Sequence, residues 1–258
     1  MTHSTMQLLV SVRNAIEAQV AVEAGVDIID VKEPNAGPLG FAGTQTVLQV
    51  QHAVAGRVPV SAALGECLEW MRAAPANLHD LATTIQGLEF VKLGLAAMQL
   101  PVSSDDTPCS WVDDWQMVRN QLLPSSDNQR IAGSERQNVP QWVAVAYADH
   151  ERAAAPCAAE VLEAAIQTGC STLLIDTFCK DGSGTLNWLT QAELQQLRIR
   201  THRHKLRFAL AGQLTAAHLT VVQAIQPDVF AVRGAVCEGQ DRTATVSAEM
   251  IRRLKALL

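Results

Sequence analysis

Eight short apolar runs, separated by stretches long enough for a helix, dominate the sequence: LLVSV (8–12), IIDV (28–31), VPVSAAL (58–64), LEFVKLG (88–94), WVAVAYA (142–148), TLLIDT (172–177), FALAG (208–212) and DVFAVRG (228–234). They do not alternate apolar with polar residues. Near-continuous, β-rich runs of this kind read as strands buried on both faces, and such strands belong to a parallel sheet covered by helices.

Helix signals fill the gaps. Asn14 is placed to cap AIEAQVAVEA and Thr44 to cap QTVLQVQHAVA, while Thr190 and Glu193 form a capping box; Thr215 and Ser247 read likewise as helix starts. Gly25, Gly56, Gly87 and Gly169 each fall shortly before the next strand, where a left-handed residue can close a helix without a Cβ clash. Eight strand–helix units in 258 residues predict one domain, 1–258, folded as a (β/α)₈ TIM barrel. An open dinucleotide-binding sheet would want G-x-G-x-x-G after its first strand, where this chain has SVRNAIEA. Only residues 101–140 break the rhythm, and they predict a helix around Trp111 and Trp115 followed by a loose polar loop, PSSDNQRIAGSERQN, able to stay disordered.

Composition narrows the function. Twenty basic against 26 acidic residues give a net charge of −6 and aromatics are 4%, which leaves neither the basic stripe nor the stacking platforms of a nucleic-acid binder. No apolar run nears the roughly 18 residues a membrane span needs, and the first residues lack the pattern of a secretory signal. The six cysteines include no C-x-x-C pair, so a reducing cytoplasm with free thiols is expected. No H-E-x-x-H pattern appears among the seven histidines, and His202 and His204 sit at a basic helix end, so no metal is expected.

In a barrel of this type the active site lies at the C-terminal mouths of the strands. Ionisable residues close three apolar runs: Asp30 and Lys32 on the second, whose i, i+2 spacing puts them on one face, Lys92 on the fourth, and Asp176 with Lys180 on the sixth. Ordinary ion pairs at the rim would account for any one of them. Three lysines and two carboxylates converging on one layer point further, because buried charges are costly unless paired or used. A lysine amine attacks a carbonyl only when neutral, and its pKa falls when it is desolvated beside other cations. Lys32 facing Lys92 and Lys180 meets both conditions, with Asp30 and Asp176 available to move protons, so Schiff-base chemistry is expected. Barrels also commonly bind phosphate in the loops after strands seven and eight. Here Gly212 and Gly234 would clear room for the anion and Arg233 would supply a planar fork.

These residues resemble a known family, the (5-formylfuran-3-yl)methyl phosphate synthases of methanofuran biosynthesis. The similar stretches are LLVSVRN, GVDIIDVKEPNAGPLG, VSAALGE, FVKLGL, VAVAYAD, LLIDTFCKDG, ALAGQL and VRGAVCEGQDR, in the family's order and covering nearly everything outside the first few residues and 101–140. The resemblance implies a (β/α)₈ barrel that condenses two molecules of glyceraldehyde 3-phosphate. It implies Lys32 as the Schiff-base lysine, Lys92 as proton acceptor, and Asp30, Asp176 and Lys180 as supporting charges. Gln213 stands where Ser is expected, and Glu238 and Gln240 make their loop less basic than in relatives. The atoms balance: two triose phosphates minus one phosphate and two waters leave a phosphorylated hydroxymethyl-furaldehyde. No electrons are exchanged, so no nicotinamide or flavin is required, and no cofactor is expected.

Two other readings stand beside this one. A class I aldolase or transaldolase would use the same lysine chemistry but return a sugar phosphate reversibly, and a non-catalytic phosphometabolite-binding barrel would form no imine. Tyr147 fits an intermediate or a packed rim equally well; Glu66 reads rather as solvated or structural, and Cys179 as packing. Oligomeric state is left open, since the Trp111 and Trp115 segment could cover a barrel face or meet a second copy.

Overall fold

The computed structural model describes residues 6–72, 78–99, 110–123 and 139–258. Each of the eight runs forms a strand: β1 (Gln7–Val12), β2 (Ile28–Val31), β3 (Val60–Glu66), β4 (Phe90–Gly94), β5 (Gln141–Tyr147), β6 (Thr172–Asp176), β7 (Arg207–Leu210) and β8 (Val229–Val232). Every strand pairs in parallel with the next, and β8 returns to β1 through Leu9 opposite Ala231 and Val10 opposite Val232. The barrel is closed, so no strand edge is left unpaired.

Helices α1 (Ala15–Glu23), α2 (Thr44–Val54), α3 (Cys67–Arg72), α4 (Leu78–Ile85), α5 (Trp111–Leu122), α6 (His150–Ala153), α7 (Ala158–Gln167), α8 (Thr185–Trp188), α9 (Gln191–Arg203), α10 (Leu219–Ile225) and α11 (Ala248–Lys255) occupy the connections. Alternate strand residues feed two apolar layers. Leu8, Val10, Ile29, Ala62, Val91, Leu173 and Phe230 face the helices, whereas Ile28, Ala63, Phe90, Val145, Leu174, Ala209 and Ala231 fill the inside of the barrel. Both faces being buried, the strands had no use for alternating polarity.

The predicted caps divide according to side-chain reach. Asn14 accepts from Glu17 N at 3.0 Å, Thr190 and Glu193 close their box, and Ser247 accepts from Met250 N at 3.4 Å. Thr44 is instead the first helical residue of α2, behind a left-handed Gly43 (φ 85°). Thr215 opens only a short 3₁₀ turn, where its N–H donates to His218 Nδ1 at 3.0 Å. Gly25, Gly56 and Gly169 do take positive φ (89°, 71° and 69°); Gly87 does not, and what it avoids is the Gln51 side chain.

α5 covers a barrel face rather than standing free. Trp115 is fully buried, and the Arg119 guanidinium lies between the Trp115 and Trp142 rings, 4.6 and 5.0 Å from their centroids, while donating to Thr168 Oγ1 at 2.7 Å. The polar loop expected after this helix falls largely at 124–138, outside the described residues. No helix among the described residues is long and apolar enough to cross a membrane.

Candidate active site

Small inward residues near the C-terminal ends of the strands, Ala211 and Ala231 among them, leave a cavity of about 430 Å³ at the barrel mouth. All eight residues singled out in the sequence line it: Asp30, Lys32, Lys92, Asp176, Lys180, Gly212, Arg233 and Gly234. Barrel closure does this, since residues as far apart in sequence as 30 and 234 become neighbours only when β8 meets β1.

The charged residues lie at two depths instead of one layer. Lys92 stands in the middle of β4, where Asp30 and Lys92 are 2% and 3% exposed. Asp30 Oδ1 accepts a hydrogen bond from Lys92 Nζ and Oδ2 accepts from Ser11 Oγ at 3.0 Å; Lys92 also donates to Ser61 Oγ at 2.9 Å. Nearer the mouth, Lys180 Nζ donates to Asp176 Oδ1 at 2.7 Å and to Thr177 Oγ1 at 3.1 Å. Burial by itself would raise the Asp176 carboxyl, but Lys180, Lys32 and the Thr177 amide hold it below the ordinary carboxylate value.

Lys32 differs from the other two amines. It follows β2 directly, and among the described residues it has no carboxylate within 4 Å and no hydrogen-bond partner for Nζ. Desolvation lowers its pKa from 10.5 to about 8, against the upward pull of Asp176 and Asp30 and with a further push from Lys180 and Lys92. An amine in this state is a nucleophile near neutrality.

The expected phosphate grip needs correcting. Arg233 spends all five of its N–H donors inside the protein: on Glu17 Oε2 (2.8 Å) and Oε1 (3.3 Å), on the Ser11 and Ala244 carbonyls (2.9 and 3.1 Å), and on the Arg242 carbonyl. It is 6% exposed and fastens β8 to α1, with no fork left for an anion. Gly212 also serves packing: at φ 90°, a Cβ there would sit 2.0 Å from Thr185 Oγ1 in α8, not in the cavity. At Gly234 a Cβ would meet the Gln240 carbonyl at 3.2 Å. What these loops do offer is backbone: among the described residues the amides of Gly212, Gln213, Gly234 and Ala235 donate to no backbone carbonyl.

Three features escaped the sequence reading. Gln213, in place of the expected Ser, staples the β6 loop: its Oε1 accepts from Gly182 N at 2.9 Å and its Nε2 donates to the Cys179 and Ser183 carbonyls at 3.2 and 2.7 Å. From the other side Asp149 accepts from the Phe178 and Cys179 amides at 2.6 and 2.9 Å, so the turn that carries Lys180 is held at both flanks. Arg242, the last residue of CEGQDR, lines the cavity. Only its place in that loop could have drawn attention to it.

Tyr147 and Glu66 bond to each other. The phenol donates to Glu66 Oε1 at 2.6 Å, and Glu66 Oε2 accepts from Ala96 N at 2.9 Å in space that a side chain at Gly94 would fill. Burial foremost raises the Glu66 carboxyl. Neither residue lines the cavity. His202 Nε2 lies 2.8 Å from Asp228 Oδ2 on the outer surface. Among the described residues no three His, Cys, Asp or Glu side chains gather into a metal-holding group.

Known proteins resemble the chain at two levels. The model of the 4-HFC-P synthase family matches residues 8–255. A (5-formylfuran-3-yl)methyl phosphate synthase from Methanosarcina acetivorans is 31% identical over 251 residues, covering 97% of this chain and 98% of its own. The protein of that name from Methanocaldococcus jannaschii is 28% identical over 255 residues, covering 98% and 99%. Among solved structures, thiamine phosphate pyrophosphorylase from Pyrococcus furiosus superposes with a TM-score of 0.56 at 13% identity, covering 99% of this chain and 96% of its own. Phosphoribosyl anthranilate isomerase from Thermus thermophilus gives 0.55 at 13%, covering 98% of each. At such identity the likeness is one of fold.

Proposed function

Because the chain belongs to the 4-HFC-P synthase family, we propose that it is a carbon–oxygen lyase that makes (5-formylfuran-3-yl)methyl phosphate for a methanofuran-type one-carbon carrier, condensing two molecules of glyceraldehyde 3-phosphate through an imine on Lys32. The single observation that supports this most is the isolation of Lys32 among three amines, with a pKa near 8 while its neighbours are each held by a carboxylate.

In this reading one triose phosphate, in its ketone form, is attacked by neutral Lys32 and a water leaves. Lys92 sits low in the barrel against Asp30; it first passes a proton across that hydrogen bond to the Asp30 carboxylate, and the neutral amine then takes the C–H proton that converts the imine to an enamine. The enamine carbon adds to the aldehyde of the second triose phosphate. Ring closure then removes one phosphate and the waters, with Asp176 and Lys180 trading protons with the leaving oxygens, and hydrolysis frees Lys32. The free amides of the β7 and β8 loops line the same cavity and can donate to phosphate oxygens.

The test is incubation of the purified protein with glyceraldehyde 3-phosphate alone. The reading expects the ultraviolet absorbance of a furan aldehyde and, with borohydride, substrate mass on Lys32, both lost in Lys32→Ala. Full rate in that variant, or a reversible sugar phosphate in place of a furan, rejects the mechanism.

A further inference from the structure

We propose that Arg242 is the cation of an anion subsite on the β8 side of the cavity and that this subsite takes a phosphate monoester. The inference deepens the sugar-phosphate reading above and rests on it for the identity of the substrate, though not for the existence of the subsite.

Charge accounting in the cavity singles this residue out. Five cationic side chains line the space: Lys32, Lys92, Lys180, Arg233 and Arg242. Asp30 holds Lys92, Asp176 holds Lys180, and Glu17 with three carbonyls exhausts Arg233. Lys32 also lacks a carboxylate in contact, but the reading above commits its amine to the carbonyl carbon. That leaves Arg242, which has no carboxylate partner within 4 Å among the described residues. Its adjacent carboxylate, Asp241, also lines the cavity but is engaged within its own loop, accepting from Thr243 N and Oγ1 at 2.8 Å each.

Arg242 is half-buried and donates through Nη2 to the Gly37 carbonyl at 3.1 Å; the described contacts leave its other N–H groups free. That tether to the loop after β2 orients the guanidinium before any ligand arrives, which lowers the ordering cost of binding. A planar fork matches phosphate oxygens in pairs, and the free amides at Gly212, Gln213, Gly234 and Ala235 belong to the same cavity. Burial pulls the Arg242 guanidinium below its ordinary pKa, against the pull of Asp176, Glu33 and Asp241.

Calorimetric titration with inorganic phosphate, on the wild type, Arg242→Lys and Arg242→Gln, tests this directly. Affinity is expected to fall at least about tenfold in Arg242→Gln and by less in Arg242→Lys, which keeps the charge but loses the fork. Trapping of glycolaldehyde on Lys32 with borohydride, which involves no phosphate, is expected to continue in both variants. On the wild type, phosphate should suppress phenylglyoxal labelling of Arg242, a readout independent of how any variant folds. Phosphate affinity that is undetectable in the wild type or unchanged in a folded Arg242→Gln, or labelling that phosphate leaves untouched, overturns the subsite. Failure of trapping in the wild type with an Arg242-dependent phosphate response would leave the subsite standing and strike only the Schiff-base reading.

Discussion

Lys180 Nζ reaches back one turn along its own chain to Asp176 Oδ1 at 2.7 Å, while Lys32 feels the Asp176 charge without a carboxylate in contact. Lys92, two strands along the barrel wall on β4, engages Asp30 of β2. Two carboxylates therefore serve two lysines, and the third amine stands among them desolvated and without a counter-charge in contact.

With a pKa near 8, Lys32 is neutral in about a tenth of molecules at pH 7, against about 0.03% for an ordinary lysine. Borohydride trapping should quicken about tenfold per unit as pH rises towards 8 and level off above it. A trapping rate that keeps climbing to pH 10 would mean that the amine is not depressed.

Stability has the opposite sign from the usual lysine ion pair. The unfolded chain holds the Lys32 proton up to about pH 10.5 and the folded protein only to about 8, so the full penalty applies below 8 and disappears as pH rises through that window. Lys32→Met removes it. The variant should be inactive yet more stable at pH 7, by up to on the order of 3 kcal/mol before any packing loss, seen as a melting point several degrees higher. A lower melting point would contradict the assignment.

Lys92→Met leaves Asp30 as an uncompensated charge inside the barrel, where it is 2% exposed. Urea unfolding should show a loss of about 3–5 kcal/mol, and adding Asp30→Asn should restore a good part of it. If the double variant is no better than the single one, the two groups are not acting as a pair.

Gln213→Met keeps length and removes three hydrogen bonds from the Lys180 turn. Because that turn borders the open cavity, water can replace the bonds and the melting point should move little. Turnover should fall, and the midpoint of Lys32 trapping should shift to higher pH, since a displaced Lys180 no longer pushes the Lys32 pKa down. An unmoved midpoint would reduce Gln213 to a purely structural clip.

The barrel was legible in the sequence because a strand buried on both faces must be apolar throughout, and eight such runs leave few alternatives. Lys32, Asp30, Lys92, Asp176 and Lys180 could be picked out for the related reason that ionisable residues are conspicuous within or just after apolar runs. Arg233 was misjudged by the same logic. Its partner Glu17 lies 216 residues earlier, in the first turn of α1, where an acidic residue looks like ordinary helix-start chemistry.

Local sequence thus determined which segments become strands, where helices start, and which residue types crowd the mouth, since each of these depends on neighbours within a few positions. Only the closed tertiary structure decided which charge pairs with which. That choice placed Lys92 deep with Asp30, consumed Arg233 on Glu17, and left Lys32 and Arg242 unspent. Ion pairing and desolvation act through space over a few ångströms, and the separations in sequence that barrel closure brings within that range carry no local signature.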